Sequence, residues 1–547
     1  MNTTPSPFFG ALRALTLLAL ALAAPASLLA PATAQACGGF FCQITPVEQN
    51  AERILFEINP DGTITTVVEI SYAGEPEGFS WVVPVSETPT LLTVPPSALR
   101  LLDGATVPSI IPPPTRCANG GNQAFRGAAP SAAGAEDSSD GGGGVNVEDL
   151  PQVGPFDPEV VSSDDPEALV AWLNENGYLI TEAMEPFVAG YVASGMKFLA
   201  MKLAPGAGIA DITPIGMTYA GTSPMVPISL TSVSAEPEMG VMVFIAGAGR
   251  YESSNFSNMV VDREDVQADP RNGANNYYPL LSWLIDEAGG RAFVTEFADG
   301  VSAVRTGADS FFSGAADDAE AREFLNGVLN RQAFVTRLYT RISGWEMTFD
   351  PNFARAETDT PVARLIDLSD RPSVDVCGPN ESKAEPCGQM YCGADAMCAT
   401  TDAGIDGCVC PVGASARVIR EPGSPGGFLR DTVVCQQTSF EFLEAVLGTT
   451  DGPADPCDTA TCGDFGACVP VNGFATCQCD EGFAAVPNGA GGAVCSQVKK
   501  SFGPDQLLWN TAGCGGGSCS AGARVSGGGI AALLALALPL LARRRRA

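Results

Sequence analysis

Three acidic residues stand in apolar surroundings of the kind that raises a carboxyl pKa: Glu296 in FVTEF, Asp350 in MTFDPNF and Asp157 in GPFDPEV. Two such groups flanking one sugar, one protonated and one ionised, would suit glycoside hydrolysis. Yet the chain holds 62 Asp and Glu residues, and no spacing marks any two as partners. Acids at capped turns and strand ends are the commoner use of such positions, so no catalytic residue is assigned. Histidine is absent altogether. That removes Ser-His-Asp and Cys-His nucleophiles, His-ligated catalytic zinc and imidazole pH switching. Neither a G-x-S-x-G elbow nor a phosphate-binding G-K-[ST] loop occurs.

The other reactive side chains are 18 cysteines, and the chain termini decide how to read them. Residues 1–36 carry one early positive charge at Arg13, an apolar Leu/Ala run and small residues at Ala34 and Ala36. This is a secretory signal with an Ala-x-Ala site, so cleavage between Ala36 and Cys37 is expected. A Cys directly after cleavage invites lipidation, but Ala34-Gln35-Ala36 lacks the usual Leu and fits that pattern poorly. Export to an oxidising compartment makes the cysteines disulfides, and no thioredoxin-type Cys-x-x-Cys is present. The net charge of −32 repels nucleic acid and favours cations or basic partners, while also keeping a secreted protein soluble.

At the other end, GCGGGSCSAGARVSGGG leads into an apolar segment at 525–542 and then Arg543, Arg544, Arg545 and Arg546. The uninterrupted run from Ile530 to Ala542 would span about 20 Å as a helix, short of a roughly 30 Å hydrocarbon core. The arginines would stay cytoplasmic and leave everything before them outside. Cys-bearing Gly/Ser linker (497–524), short apolar helix and terminal Arg cluster together resemble the MYXO-CTERM type of sorting tail. That resemblance implies processing beside a Cys, with Cys514 and Cys519 both available for the role. An unprocessed single-span anchor is the competing reading, and either one gives the chain a membrane partner.

From Cys457 the spacing C-x4-C-x5-C-x8-C-x-C-x15-C runs through Cys462, Cys468, Cys477, Cys479 and Cys495. An earlier run, Cys387, Cys392, Cys398, Cys408, Cys410 and Cys435, repeats its beginning but has a longer last loop. Units this small need bridges because their cores are too small to hold alone. Residues 383–436 and 453–496 resemble two EGF-like domains. The resemblance implies pairing of first with third, second with fourth and fifth with sixth cysteine in each; spacing alone leaves fifteen connectivities for six cysteines. Calcium is the one cofactor the family suggests, but Pro453 and Pro456 occupy positions where its calcium-binding members carry acidic or amide side chains. No cofactor is therefore expected.

The elements that must position any head chemistry lie in residues 37–375. ERILFEI, the turn NPDG and TITTVVEISY predict a β-hairpin, with Pro60 second and Gly62 fourth in the turn. Residues 118–147 are a Gly/Ala/Ser-rich insertion too poor in apolar residues to pack. DDPEALVAWLNENG predicts a helix capped by Asp165 and ended by Gly177. Strands are expected at FSWVVPV, KFLAMKL, PMVPISLTSV, GVMVFIAG and AFVTRLYTRI, and helices at YYPLLSWLIDEAG and DDAEAREFLNGVLN. The fold class is α+β, a strand-dominated head with several helices, followed by two disulfide-rich modules and a C-terminal transmembrane or sorting helix. CGGFFC, FSWVVPV, VGPFDPEVV with ALVAWLNENGY, KFLAMKL and VTRLYTRISGWEMTFDPNF resemble a secreted bacterial family, domain of unknown function 2330. It implies export and no known activity. Cys37, Cys42, Cys117 and Cys377 remain, with three possible pairings; Cys37–Cys42 with Cys117–Cys377 would brace the mature N-terminus.

The expectation is an exported protein of the cell envelope or surface with a non-enzymatic binding, adhesion or structural role. Its partner would be an extracellular protein or glycan, with the EGF-like modules as stalk or contact surface. An envelope polysaccharide hydrolase using paired carboxylates in the head is the alternative.

Overall fold

The computed structural model describes residues 49–69, 79–116, 145–375 and 390–502, apart from 179, 234, 271–272, 312–313, 423–428, 439–455, 459, 472–473 and 490. The signal segment with its Ala36/Cys37 site, Cys42, Cys117, Cys377, Cys387, Cys514, Cys519 and Arg543 to Arg546 lie outside the described residues, as does most of the 118–147 insertion.

Hydrophobic alternation builds the first hairpin, β1 (Gln49–Ile58) and β2 (Thr63–Glu69). Its turn closes through the Gly62 amide onto the Asn59 carbonyl (3.2 Å), with Gly62 at φ +86°, where a Cβ would be strained. The chain continues through β3 (Ser80–Val85), β4 (Thr90–Thr93), α1 (Ser97–Thr106), β5 (Asn146–Asp149) and β6 (Phe156–Ser162). Next come α2 (Pro166–Glu175), α3 (Glu185–Ala193), β7 (Lys197–Leu203), β8 (Ile215–Ala220), α4 (Ile228–Thr231) and β9 (Ala235–Gly247). The head closes with β10 (Ser257–Met259), α5 (Tyr277–Glu287), β11 (Ala292–Gly300), α6 (Val301–Ser310), α7 (Asp318–Arg331) and β12 (Phe334–Ile342).

An eight-stranded mixed sheet in the order β10-β11-β12-β9-β1-β2-β8-β4 is the backbone of the head. β1 pairs parallel to β9 and antiparallel to β2. A second, four-stranded antiparallel sheet has the order β3-β7-β6-β5. Because side chains alternate across a strand, β1 feeds two cores. Ile54 and Phe56 pack with Trp81, Val83 and Phe198 of the second sheet, and Leu55 packs with Leu99, Leu281 and Leu325 of the helices on the other face. Burying one such side chain contributes about 1.5–3 kcal/mol, so the hairpin's pattern commits the sheet to lie between a second sheet and a helical layer.

The α2 cap is as predicted: the Asp165 carboxylate accepts from the amides of Glu167 (3.0 Å) and Ala168 (3.3 Å), and Gly177 lies at φ +75°. The segment PMVPISLTSV departs from expectation, forming the short helix α4 within a loop rather than a strand. Pro224 and Pro227 lack amide hydrogens for a ladder, and the Ser229 amide donates to Asp350 instead. Residues 146 and 147, expected in the insertion, belong to the edge strand β5.

The disulfide-rich region contains β13 (Met397–Thr401), β14 (Asp406–Val409), β15 (Ala414–Pro422) and β16 (Leu429–Gln437). It ends with β17 (Gly466–Val471), β18 (Phe474–Cys479), β19 (Phe483–Pro487) and β20 (Ala493–Phe502). Five bridges are described: Cys392–Cys408, Cys410–Cys435, Cys457–Cys468, Cys462–Cys477 and Cys479–Cys495. Cys398 is also disulfide-bonded. Each described bridge joins two cysteines of one six-cysteine run, yet the runs do not pack as separate beads. A small barrel, β13-β14-β19-β20, and a sheet, β16-β15-β18-β17, each take strands from both runs, around one shared core.

Candidate functional site

The three acids singled out in the sequence are not brought together. Glu296, on β11, accepts from Tyr277 Oη (2.7 Å) and Arg337 Nε (2.6 Å) on the helical side of the large sheet. Arg337 is only 1% exposed and also binds Asp103, so charge and hydrogen bonds are satisfied inside the core. Asp350 accepts from Tyr191 Oη (2.6 Å) and the Ser229 amide (2.9 Å). Burial raises its pKa, and these two partners hold the rise in check. Asp157 is an exposed residue of β6, opposite Lys202 in register. None of the three shares a hydrogen-bond partner with another, and two of them brace their neighbours.

A different acid occupies a ligand-sized space. Between the two sheets lies a cavity of about 130 Å³, lined by apolar side chains such as Phe56, Trp81, Val83 and Met217 together with Glu52 and Tyr219. Ser86 and Ser223, also in its wall, are exposed, whereas Glu52 is 2% exposed, so the cavity connects solvent to a buried carboxyl. Among the described residues Glu52 Oε2 has no hydrogen-bond partner, and burial pushes the carboxyl up from 4.5 to about 7. By contrast, Tyr219 Oη is paired with Thr66 Oγ1 at 2.9 Å. Buried carboxylates are ordinarily paired; this one lines the cavity, and among the described residues no group bonds its Oε2.

The sequence carries a local signal for Glu52. In ERILFEI, period-2 alternation puts Glu52 on the face of Ile54 and Phe56, an acid aligned with the buried stripe of a strand. What the strand pattern lacked was the second sheet, which encloses that stripe from residues 80–85, and the strand β8, which supplies Met217 and Tyr219.

A second group of acids lies where the disulfide-rich region meets the head. Burial, followed by the Glu346 charge, pushes Asp286 up to about 7; burial, followed by the Glu238 charge, pushes Glu346 up to about 7, while its hydrogen bond with Asp286 holds it down. Tyr391 Oη donates to Asp286 from the disulfide-rich side. Nearby, Arg417 pairs with Glu236 at 3.4 Å, both 4% exposed, and lies 3.7 Å over the Phe474 ring. Glu236 sits in a bulge of β9, where the register with β1 slips between Gln49 and Ala51. In the same bulge Glu238 holds φ +58°, with its amide donating to Ser343 Oγ. Gly290, at φ +73°, passes so close to Glu346 that a Cβ would stand 2.6 Å from its side chain. These groups act as a joint: Asp286 and Glu346 are half-buried, and Tyr391 and Arg417 reach from the disulfide-rich side to acids of the head.

A family model described as an uncharacterized protein conserved in bacteria (DUF2330) matches residues 31–354, more than half of the chain. No curated protein and no solved structure matches it.

Proposed function

The chain belongs to the uncharacterized bacterial family DUF2330, and from that premise we propose that it is an exported, envelope-anchored binding protein. Its head would take up a small molecule between its two sheets without transforming it. The observation that carries this reading is the inter-sheet cavity ending on the unpartnered Glu52 carboxyl. The acids expected to do chemistry support it as well, since Glu296 and Asp350 are held in place by Tyr277, Arg337, Tyr191 and Ser229. The bridged region after the head would serve as stalk or contact surface towards an extracellular protein or glycan. The two EGF-like resemblances and the MYXO-CTERM-type tail belong to the same proposal.

The test is recovery of the mature chain from the cell envelope under non-reducing conditions, with intact mass and any co-purifying small molecule measured together. A mass starting at Cys37 and ending beside Cys514 or Cys519, with a bound compound released unchanged on denaturation, is the expected result. A cytoplasmic full-length chain ending in Arg-Ala would overturn the address.

One observation favours the rival hydrolase. Asp286 and Glu346 are neighbouring carboxyls, both with raised pKa values, and perturbed carboxyls gather at active sites. Tyr391 of the disulfide-rich region bonds Asp286, which favours the structural role. Release of sugars from envelope polysaccharide, abolished in Glu346→Gln, would establish the hydrolase.

A further inference from the structure

We propose that the inter-sheet cavity binds a small organic amine, its ammonium group on Glu52 and its apolar body between Phe56, Trp81 and Met217. This rests on the reading of the head as a small-molecule receptor and specifies what it receives.

Size comes first. A cavity of about 130 Å³ is close to the roughly 150 Å³ engineered cavity that accepts benzene. One aromatic ring or a four- to six-carbon chain fills it, and a sugar or a peptide does not. Polarity follows from the wall. Its residues are predominantly apolar, and among the described residues lining it there is neither Lys nor Arg. An anionic ligand would meet Glu52 with no compensating charge. A neutral apolar ligand would leave Oε2 unpartnered, which is costly in a buried site. A protonated amine in the cavity donates to the Glu52 carboxylate and neutralises it at once, and such charge-assisted bonds are about twice as strong as neutral ones. Three methionines, Met196, Met217 and Met225, line the cavity; their flexible thioethers adapt to apolar bodies of differing shape. The net charge of −32 adds a long-range bias, enriching organic cations near the surface.

The experiment is isothermal titration of the disulfide-intact mature protein with benzylamine, benzyl alcohol and benzoate, at pH 8 and at pH 5. At pH 8 benzylamine should bind at least about tenfold more tightly than benzyl alcohol, with benzoate silent. At pH 5 the amine should weaken by about a hundredfold, because Glu52, with its pKa near 7, is then protonated. Glu52→Gln should bring benzylamine down to the level of benzyl alcohol at both pH values. The wild-type pH comparison stands even if that variant folds poorly. Equal binding of amine and alcohol, insensitive to pH, would overturn the amine assignment and leave the receptor reading intact. Silence from all three probes would sink both.

Discussion

Replacing Glu52 by Gln should stabilise the head above neutral pH and leave it unchanged relative to wild type under acid conditions, once a constant offset is removed. The carboxyl is buried, its Oε2 has no partner among the described residues, and its folded-state pKa stands near 7 against an ordinary 4.5. A group whose folded pKa is raised by desolvation holds its proton more tightly when folded. Its folded state is therefore not penalised below pH 4.5; the penalty grows as pH rises and is complete once pH exceeds 7. At about 1.36 kcal/mol per pKa unit, the full penalty is about 3 kcal/mol. Gln keeps the shape and removes the charge. Its own unsatisfied amide costs about 1–3 kcal/mol, but that cost does not vary with pH and drops out of the comparison.

The assay is urea unfolding of ligand-free wild type and Glu52→Gln, disulfides intact, at pH 4.5, 6 and 8.5, followed by the fluorescence change of the head. The quantity of interest is the stability difference between the two proteins as a function of pH. Asp286 and Glu346 titrate in the same window in both proteins, so they cancel. The difference should shift in favour of the variant by about 3 kcal/mol between pH 4.5 and pH 8.5, with most of the change below pH 7. A difference that stays flat across this range would refute the reasoning, because it would mean that Glu52 is solvated or paired in the folded protein.

Three other outcomes follow from the same physical arguments. Glu296→Gln should destabilise the head by about 3–5 kcal/mol, since it leaves the 1%-exposed Arg337 short of a counter-charge in the core; calorimetry checks this, and a neutral effect would mean that the network is wetter than described. Asp165→Ala removes the acceptor for the Glu167 and Ala168 amides and should cost about 1 kcal/mol, read from the unfolding midpoint. Tyr391→Phe removes the donor to Asp286 at the joint with the disulfide-rich region. Its cost should be greater at pH 8 than at pH 5, because the bond is charge-assisted only when the carboxyl, with its pKa near 7, is ionised; an equal cost at both would contradict the raised pKa.

Where the sequence was legible, one element carried its own signal. The NPDG turn with Gly62, the Asp165 cap before Pro166 and the alternating ERILFEI each fix local geometry within a few residues, and the structure has the corresponding hairpin, cap and strand. Legibility ended where a residue's role depended on a distant segment. PMVPISLTSV reads as a strand by composition, yet its two prolines and the distant Asp350 turn it into a capped helical turn. Glu296 looked like a reactive acid in an apolar stretch; Tyr277 and Arg337, 19 and 41 residues away, make it a structural counter-ion. Glu52 is the converse. Locally it is an acid in a strand, and it becomes a site only because a second sheet closes over its face. The strand sharing between the two six-cysteine runs was equally hidden, since cysteine spacing reports loop lengths within a run and carries nothing about pairing between runs.

Glu52 and the Asp286–Glu346 pair belong to different parts of the molecule, but they bias it in the same direction. All three carboxyls are pushed up to about 7 by burial. Each therefore opposes the folded state as pH climbs from about 4.5 towards 7, and the overall charge of −32 adds self-repulsion that grows over the same interval. Stability should then peak under mildly acidic conditions. Above pH 7 the three penalties differ in how they can be relieved. At the joint, Asp286 has Tyr391 as an internal donor. In the cavity no donor from the described residues reaches Glu52 Oε2, so a cationic molecule entering the cavity would offset the charge of the carboxyl. Ligand binding and proton binding thus compete for one carboxyl group. An amine that occupies the cavity should raise the unfolding temperature at pH 8 and have little effect at pH 5, by mass action on the folded state. Stabilisation of equal size at both pH values would separate the ligand from Glu52 and place its contacts elsewhere in the cavity wall.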